Sequence, residues 1–116
     1  MIETRPWGHF EILYSDEHNW LKRLTIFPGQ SLSLQIHRHR DEYWVTYDDN
    51  VRVTTGWDET LNDYILFPNQ VVFVPAGQIH RIRNTGQTVV RVIEWATGQP
   101  DEADIVRLDD DYGRAE

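Results

Sequence analysis

Turn residues punctuate this chain so often that no long helix fits between them. Short alternating or β-branched runs follow one another: His9–Tyr14, Trp20–Phe27, Ser31–His37, Glu42–Tyr47, Val51–Thr55, Asp63–Leu66, Val71–Val74, His80–Arg83 and Val89–Ala96. Between them lie Ser15-Asp16-Glu17, Phe27-Pro28-Gly29, Asp48-Asp49-Asn50, Gly56-Trp57-Asp58, Pro68-Asn69, Pro75-Ala76-Gly77 and Asn84-Thr85-Gly86. Glycine, proline, asparagine and aspartate reverse a chain, and period-two apolar runs sit half-buried on a sheet. This rhythm predicts an all-β sandwich or barrel.

A chain of 116 residues that is 40% hydrophobic, with five tryptophans, is long enough for one core and not for two. We expect a single domain, with the barrel over residues 7–97 and a tail over 98–116. Gly98-Gln99-Pro100-Asp101-Glu102 breaks the strand pattern, yet Ile105, Val106, Leu108 and Tyr112 give the tail enough apolar area to dock.

Lys plus Arg number 11 and Asp plus Glu 19, a formal charge of −8, which argues against a general surface for nucleic acid or an anionic membrane. The absence of cysteine removes disulfides, thiolate metal sites and cysteine nucleophiles. No apolar run is long enough to span a bilayer, and Met1–Trp7 lacks the layout of a secretory signal, so the cytoplasm is the expected compartment.

Two separated stretches read as halves of one metal site: Gly29-x5-Gln35-x-His37-x4-Glu42 and Pro75-x-Gly77-x2-His80-x3-Asn84. Gln35 and His37 share one strand face, and a turn at Arg38–Asp41 can return Glu42 beside them. His80 follows a proline-stiffened, glycine-permitted turn. Gln35, His37, Glu42 and His80 would supply two nitrogen and two oxygen ligands with a position left open. Such a set suits Zn²⁺ first, with Mn²⁺, Co²⁺, Ni²⁺ or Fe²⁺ as alternatives. The alternative is a polar β face on which His37, His39 and His80 are simply hydrogen-bonded.

The motifs carry a resemblance. Arg5-Pro6-Trp7-Gly8, Lys22-Arg23-Leu24, Leu32 to Arg40, Glu42-Tyr43-Trp44-Val45, Val74-Pro75-Ala76-Gly77, His80-Arg81, Ile93-Glu94, Asp104-Ile105-Val106-Arg107 and Asp111-Tyr112-Gly113-Arg114 occur in order over nearly the whole chain. In these the chain resembles a cupin, a double-stranded β-helix or jelly-roll barrel. More narrowly it is similar to the C-terminal mannose-6-phosphate isomerase domain of type II phosphomannose isomerase/GDP-mannose pyrophosphorylase proteins. The resemblance implies Gln35 and His37 at the two first-motif histidine positions, completed by Glu42 and His80. The family usually has His at Tyr43, Gly at Asp49, Glu at Arg83 and Pro at Thr85. Asp49 is expected to take the left-handed turn geometry in place of glycine.

What the resemblance implies is an aldose–ketose isomerisation of mannose 6-phosphate and fructose 6-phosphate through an enediol, with a small phosphosugar as partner and a homodimer as assembly. Arg107 is the expected substrate contact, and Arg40 and Lys22 are candidates for the pocket wall. Tyr43 is placed at its rim, and Trp44 is the tryptophan nearest it. His39, Glu94 or a water on the metal is the candidate proton carrier. The rival expectations are another sugar-phosphate or nucleotide-sugar isomerase or epimerase, and a cupin that binds a sugar without turnover. Dioxygenase and decarboxylase cupins generally use three histidines, which Gln35 speaks against.

Overall fold

Inward-facing apolar side chains at alternate positions drive two antiparallel sheets to close over one core. The computed structural model describes residues 2–115, and these contain strands and turns with no helix, hence none able to cross a membrane. In chain order the strands are β1 (Ile2–Arg5), β2 (Gly8–Ser15), β3 (Asn19–Ile26), β4 (Leu34–Ile36), β5 (Arg40–Thr46), β6 (Val51–Trp57), β7 (Thr60–Ile65), β8 (Val71–Val74), β9 (Ile79–Asn84), β10 (Val90–Gly98) and β11 (Val106–Asp109). One sheet runs β1-β2-β3-β10-β5-β8 and the other β11-β4-β9-β6-β7. This is the expected jelly-roll barrel with its tail docked.

The core is Trp7, Phe10, Leu24, Ile26, Trp44, Val51, Val53, Leu66, Val74, Ile82, Val90 and Val92. It fills one part of the barrel, and polar side chains fill another. On the inner face of the six-stranded sheet Lys22 (β3), Glu94 (β10) and Trp44 (β5) stand in register across three neighbours.

The strand pattern differs from expectation at several places. The run Ser31–His37 shortens to β4, because Ser31 makes a lone bridge to Arg83 while Gln35 alone pairs with His80. The turn expected at Gly56 moves on one step: β6 continues through Trp57, and Asp58 takes the positive φ of 54°. At the β5–β6 turn the left-handed residue is Asn50 (φ 68°), not Asp49. Two edge strands were invisible in the pattern. β1 has no buried residue to mark a face, and β11 forms only where the tail meets β4, with Val106 opposite Ile36 and Arg107 opposite Gln35.

Candidate metal centre

Alternation along β5 buries Arg40, Glu42, Trp44 and Thr46 and turns the residues between them outward. The same rule buries Gln35 and His37 at β4, while β9 brings in His80 directly opposite Gln35. Two turns lock these strands at one end of the barrel. The Gly77 N–H donates to the His37 carbonyl (2.7 Å), with Gly77 at φ 88°, and the Ala76 N–H donates to Asp41 Oδ1 (2.7 Å).

His37, Glu42 and His80 therefore converge, with one ligand atom from each lying within 4.8 Å of the others. Both imidazoles are oriented through Nδ1. His37 Nδ1 donates to the Asp104 carbonyl (2.6 Å) and His80 Nδ1 to the Gln78 carbonyl (2.9 Å). Each ring then presents the Nε2 lone pair inward, the tautomer a metal requires. His80 Nε2 is buried and has no hydrogen-bond partner. His37 Nε2 accepts from an Arg40 guanidinium N–H at 3.0 Å. Glu42 Oε2 lies 3.5 Å from His37 Nε2 and Oε1 lies 3.8 Å from His80 Nε2.

The carboxylate is held from two sides. Arg40 Nε donates to Glu42 Oε2 (2.8 Å) and Trp44 Nε1 to Oε1 (3.1 Å). The tail reaches this network too. Arg40 Nη1 donates to the Asp101 carbonyl (2.8 Å), and the Asp104 carboxylate accepts from the Arg38 and His39 backbone N–H groups (2.9 Å each).

These residues border a cavity of about 80 Å³. Arg5, Lys22, Arg107 and Arg114 also line it, a cluster of cations inside a chain of net charge −8. Arg107 Nε is buried and unpartnered. Lys22 is buried, stacked on the Phe10 and Trp20 rings, and paired with the half-exposed carboxylate of Glu102 from the tail.

Two expected positions are corrected. His39 is exposed on the β4–β5 connection, outside the cavity lining. Tyr43 is not at the pocket rim: as the neighbour of Glu42 it faces outward, stacked between Phe73 and Trp95 with ring centroids 4.9 Å away on each side. Arg40 and Lys22, the candidates for the pocket wall, do line the cavity, and Arg40 is buried at the heart of the network. Arg5, Trp7, Glu102 and Arg114 line the cavity without having been anticipated there. The Trp7 and Arg114 motifs were the available signal.

Burial is the largest influence on both imidazoles and disfavours their charged forms. It holds His37 down to about 4 against the pull of Glu42, with His80 and Arg40 pushing the same way as burial. His80 is likewise lowered, with Glu42 and the Gln78 carbonyl opposing. Burial pushes Glu42 up, but His37, His80 and Arg40 outweigh it and hold the carboxyl down to about 2. Glu94 goes the other way: burial and then Glu42 raise it to about 7, against Lys22 and Arg40.

A pH dependence of stability follows for the metal-free chain. An imidazole near 6.5 unfolded and about 4 folded lends stability that is whole above pH 6.5 and lost as pH falls through 4. For His37 this is on the order of 3 kcal/mol, and His80 adds in the same direction. Glu94, raised from 4.5 to about 7, opposes them, because its share is lost as pH rises through that window. Glu94→Gln is therefore expected to steepen the loss between pH 7.5 and 4.5. Urea midpoints at both pH values measure it, and an unchanged slope refutes the account.

The donor set fits a divalent ion: two inward lone pairs, one of them orphaned, and a carboxylate between them. Binding would take the His37 lone pair over from Arg40.

The family described as mannose-6-phosphate isomerase C-terminal matches residues 2–110. Among curated relatives, the xanthan biosynthesis protein XanB of Xanthomonas campestris pv. campestris (strain B100) is 40% identical over 111 residues, 95% of this chain and 23% of its own. The mannose-1-phosphate guanylyltransferase ManC of Salmonella typhimurium is 37% identical over 95% of this chain and 22% of its own. The chain thus spans less than a quarter of the curated relatives it matches. The capsular polysaccharide assembling protein CapF of Staphylococcus aureus superposes with a TM-score of 0.83 over 94% of this chain and 32% of its own, at 19% identity. An oxalate oxidase in complex with glycolate gives 0.69 over 78% of this chain and 46% of its own, at 18% identity. Those two likenesses speak for the fold alone, the cupin double-stranded β-helix. With the family match covering nearly every residue, the chain belongs to the mannose-6-phosphate isomerase C-terminal family.

Proposed function

We propose that this chain is a metal-dependent isomerase of mannose 6-phosphate and fructose 6-phosphate. The observation that carries the reading is the orphaned, buried His80 Nε2, converging with His37 and Glu42 beside a wall of cations. His37, Glu42 and His80 would hold the ion. Gln35, opposite His80 on the same cavity, is the proposed fourth ligand; its amide nitrogen is engaged by the Ser33 carbonyl and hydroxyl (3.2 Å each). When bound, the ion supplies Lewis-acid polarisation of the sugar carbonyl, and Zn²⁺ is the first choice.

The chain's own residues do the rest. Arg107, with a free Nε, is proposed to bind the phosphate or the developing oxyanion, for which a planar, permanently charged donor fork is suited. Lys22 and Arg5 add positive potential at the cavity, though Glu102 now engages both. Arg40 and Trp44 fix the Glu42 carboxylate, and the Asp104 carbonyl fixes His37. Burial of the ligands limits water near the reacting atoms, which strengthens each of these charges.

The reading includes a homodimer, for which the outward Tyr43–Phe73–Trp95 stack beside the edge strand β8 is the supporting surface. The test is a coupled assay on chelated and reloaded protein, with Zn²⁺, Mn²⁺ and Co²⁺ in parallel and mass read by light scattering. Turnover of mannose 6-phosphate is expected to vanish on chelation and return with metal, at a dimer mass. Full activity in verified metal-free protein ends the reading. Tight sugar-phosphate binding without turnover favours a binding module instead.

A further inference from the structure

We infer that Glu94 is the proton carrier of this site, moving one proton between C2 and C1 of the sugar. The inference rests on the isomerase reading above and names a residue that reading leaves open.

An isomerisation of this class needs a side chain that can take a proton from carbon and give it back. Apart from the proposed ligands, the titratable side chains lining the cavity are Arg5, Lys22, Arg40, Glu94, Glu102, Arg107 and Arg114. Arginine stays protonated and cannot act as a base. Lys22 is paired with Glu102, and Glu102 is half-exposed and shared between Lys22 and Arg5. His39 lies outside the cavity. Glu94 remains.

Its setting suits the task. Glu94 is 7% exposed and stands in register with Lys22 on one side and Trp44 on the other, so it shares the inner face with Glu42 of β5. The Trp20 Nε1–H donates to Oε2 at 3.0 Å and anchors the group. Among the described residues Oε1 has no hydrogen-bond partner, and Glu94 lines the cavity. One oxygen is fixed and the other is free to work. The charged groups facing it are Lys22 from β3 and Arg40 and Glu42 from β5, two cations and one anion. In the metal-free chain burial and Glu42 raise the carboxyl to about 7, against Lys22 and Arg40.

The step balances without any co-reactant. The Glu94 carboxylate takes the C2 proton of the open-chain aldose. The C2–H electron pair becomes the C1=C2 bond, and the carbonyl π pair moves onto O1. The O2 hydroxyl proton passes to O1, and the O2 lone pair then forms the C2 carbonyl. The C1=C2 pair takes the proton back from Glu94 at C1. The product is the ketose, and Glu94 is again a carboxylate.

The test uses the full chain, metal-loaded, in wild-type, Glu94→Gln and Glu94→Ala forms. Mannose 6-phosphate is the substrate, and deuterium incorporation from D₂O at the sugar carbons is followed by NMR. Glu94→Gln keeps an oxygen for Trp20, so metal stoichiometry and sugar-phosphate affinity are expected to stay within threefold of wild type. Turnover is expected to fall about 100- to 10,000-fold, with exchange lost in step. Added formate should restore part of the rate to Glu94→Ala by replacing the missing carboxylate, a rescue that a purely structural role would not give. If wild type turns over and Glu94→Gln stays within tenfold of it, Glu94 is not the carrier and the isomerase reading stands. Should Glu94→Gln fail to fold, Glu94→Ala decides, and an inactive, folded Glu94→Ala that formate does not rescue also rejects the assignment. A wild-type chain that binds the sugar but neither isomerises nor exchanges it overturns both.

Discussion

Replacing Glu42 by alanine is expected to destabilise the metal-free chain by about 3–5 kcal/mol and to abolish stoichiometric metal binding. The size comes from what is left behind. Glu42 is 1% exposed and accepts from Arg40 Nε and Trp44 Nε1 while facing both imidazoles. Burying the carboxylate is costly in itself, yet the surroundings hold it at about 2, so attraction exceeds desolvation. Once it is gone, the Arg40 guanidinium keeps its place in the interior without its hydrogen-bonded counter-charge, left with the Asp101 carbonyl and the field of Glu94. Breaking one side of a buried pair costs far more than the pair is worth. Glu42→Gln, which preserves an acceptor for Trp44, should lose less stability but the same metal binding. Urea unfolding at pH 7.5 and titration calorimetry with Zn²⁺ measure the two effects. An alanine variant within 1 kcal/mol of wild type would show that Arg40 finds another partner and that the network is not what holds this end of the barrel.

The second large effect is expected from backbone packing, with no ion pair lost. Gly8 has φ 154°, and a Cβ built on it would sit 2.0 Å from the Thr25 carbonyl oxygen. The obstacle is backbone in the adjoining strand, so no side-chain rotation relieves it. Gly8→Ala must pry β2 from β3 where Gly8 faces Ile26, just beside Trp7 of the core. We expect a loss of about 3 kcal/mol or more, combining conformational strain with the clash. Gly29→Ala is the control: φ is 73° but nothing lies within 4 Å of the added atom, so only the left-handed penalty of about 1–2 kcal/mol applies. Thermal or urea unfolding of the pair separates steric from conformational cost. Equal losses would remove the close-approach explanation for the Trp7-Gly8 motif.

These two residues also mark how far the sequence could be read. The strands that carry alternation were visible because burial imposes period two, and β8 appears with the very bounds its apolar run suggested. His37, Glu42 and His80 were legible for a related reason: a metal site needs few residue types, and here they fall in order with turn residues at fixed offsets. Parity along β5 already places Tyr43 opposite Glu42, and the outward stack with Phe73 and Trp95 follows from it. The burial of Arg40 was different in kind. An arginine two residues before a ligand reads as surface charge until the Asp101 carbonyl and Glu42 are seen on either side of it. β11 and the carbonyl of Asp104 were hidden likewise, since a four-residue edge strand acquires its identity from the partner it meets, more than sixty positions away. Local pattern reports faces; it does not report which distant backbone atom will arrive.

That late arrival has a consequence for biogenesis. Gln35, His37, Glu42 and His80 all leave the ribosome before residues 101–109 do, yet the carbonyls that orient His37 and anchor Arg40, and the strand that flanks Gln35, belong to that later stretch. A nascent chain arrested at residue 98 would display every donor atom without the geometry that makes them selective. On the proposed reading, tight capture of an ion is expected only once this stretch has been made, because His37 and Arg40 are oriented by its carbonyls.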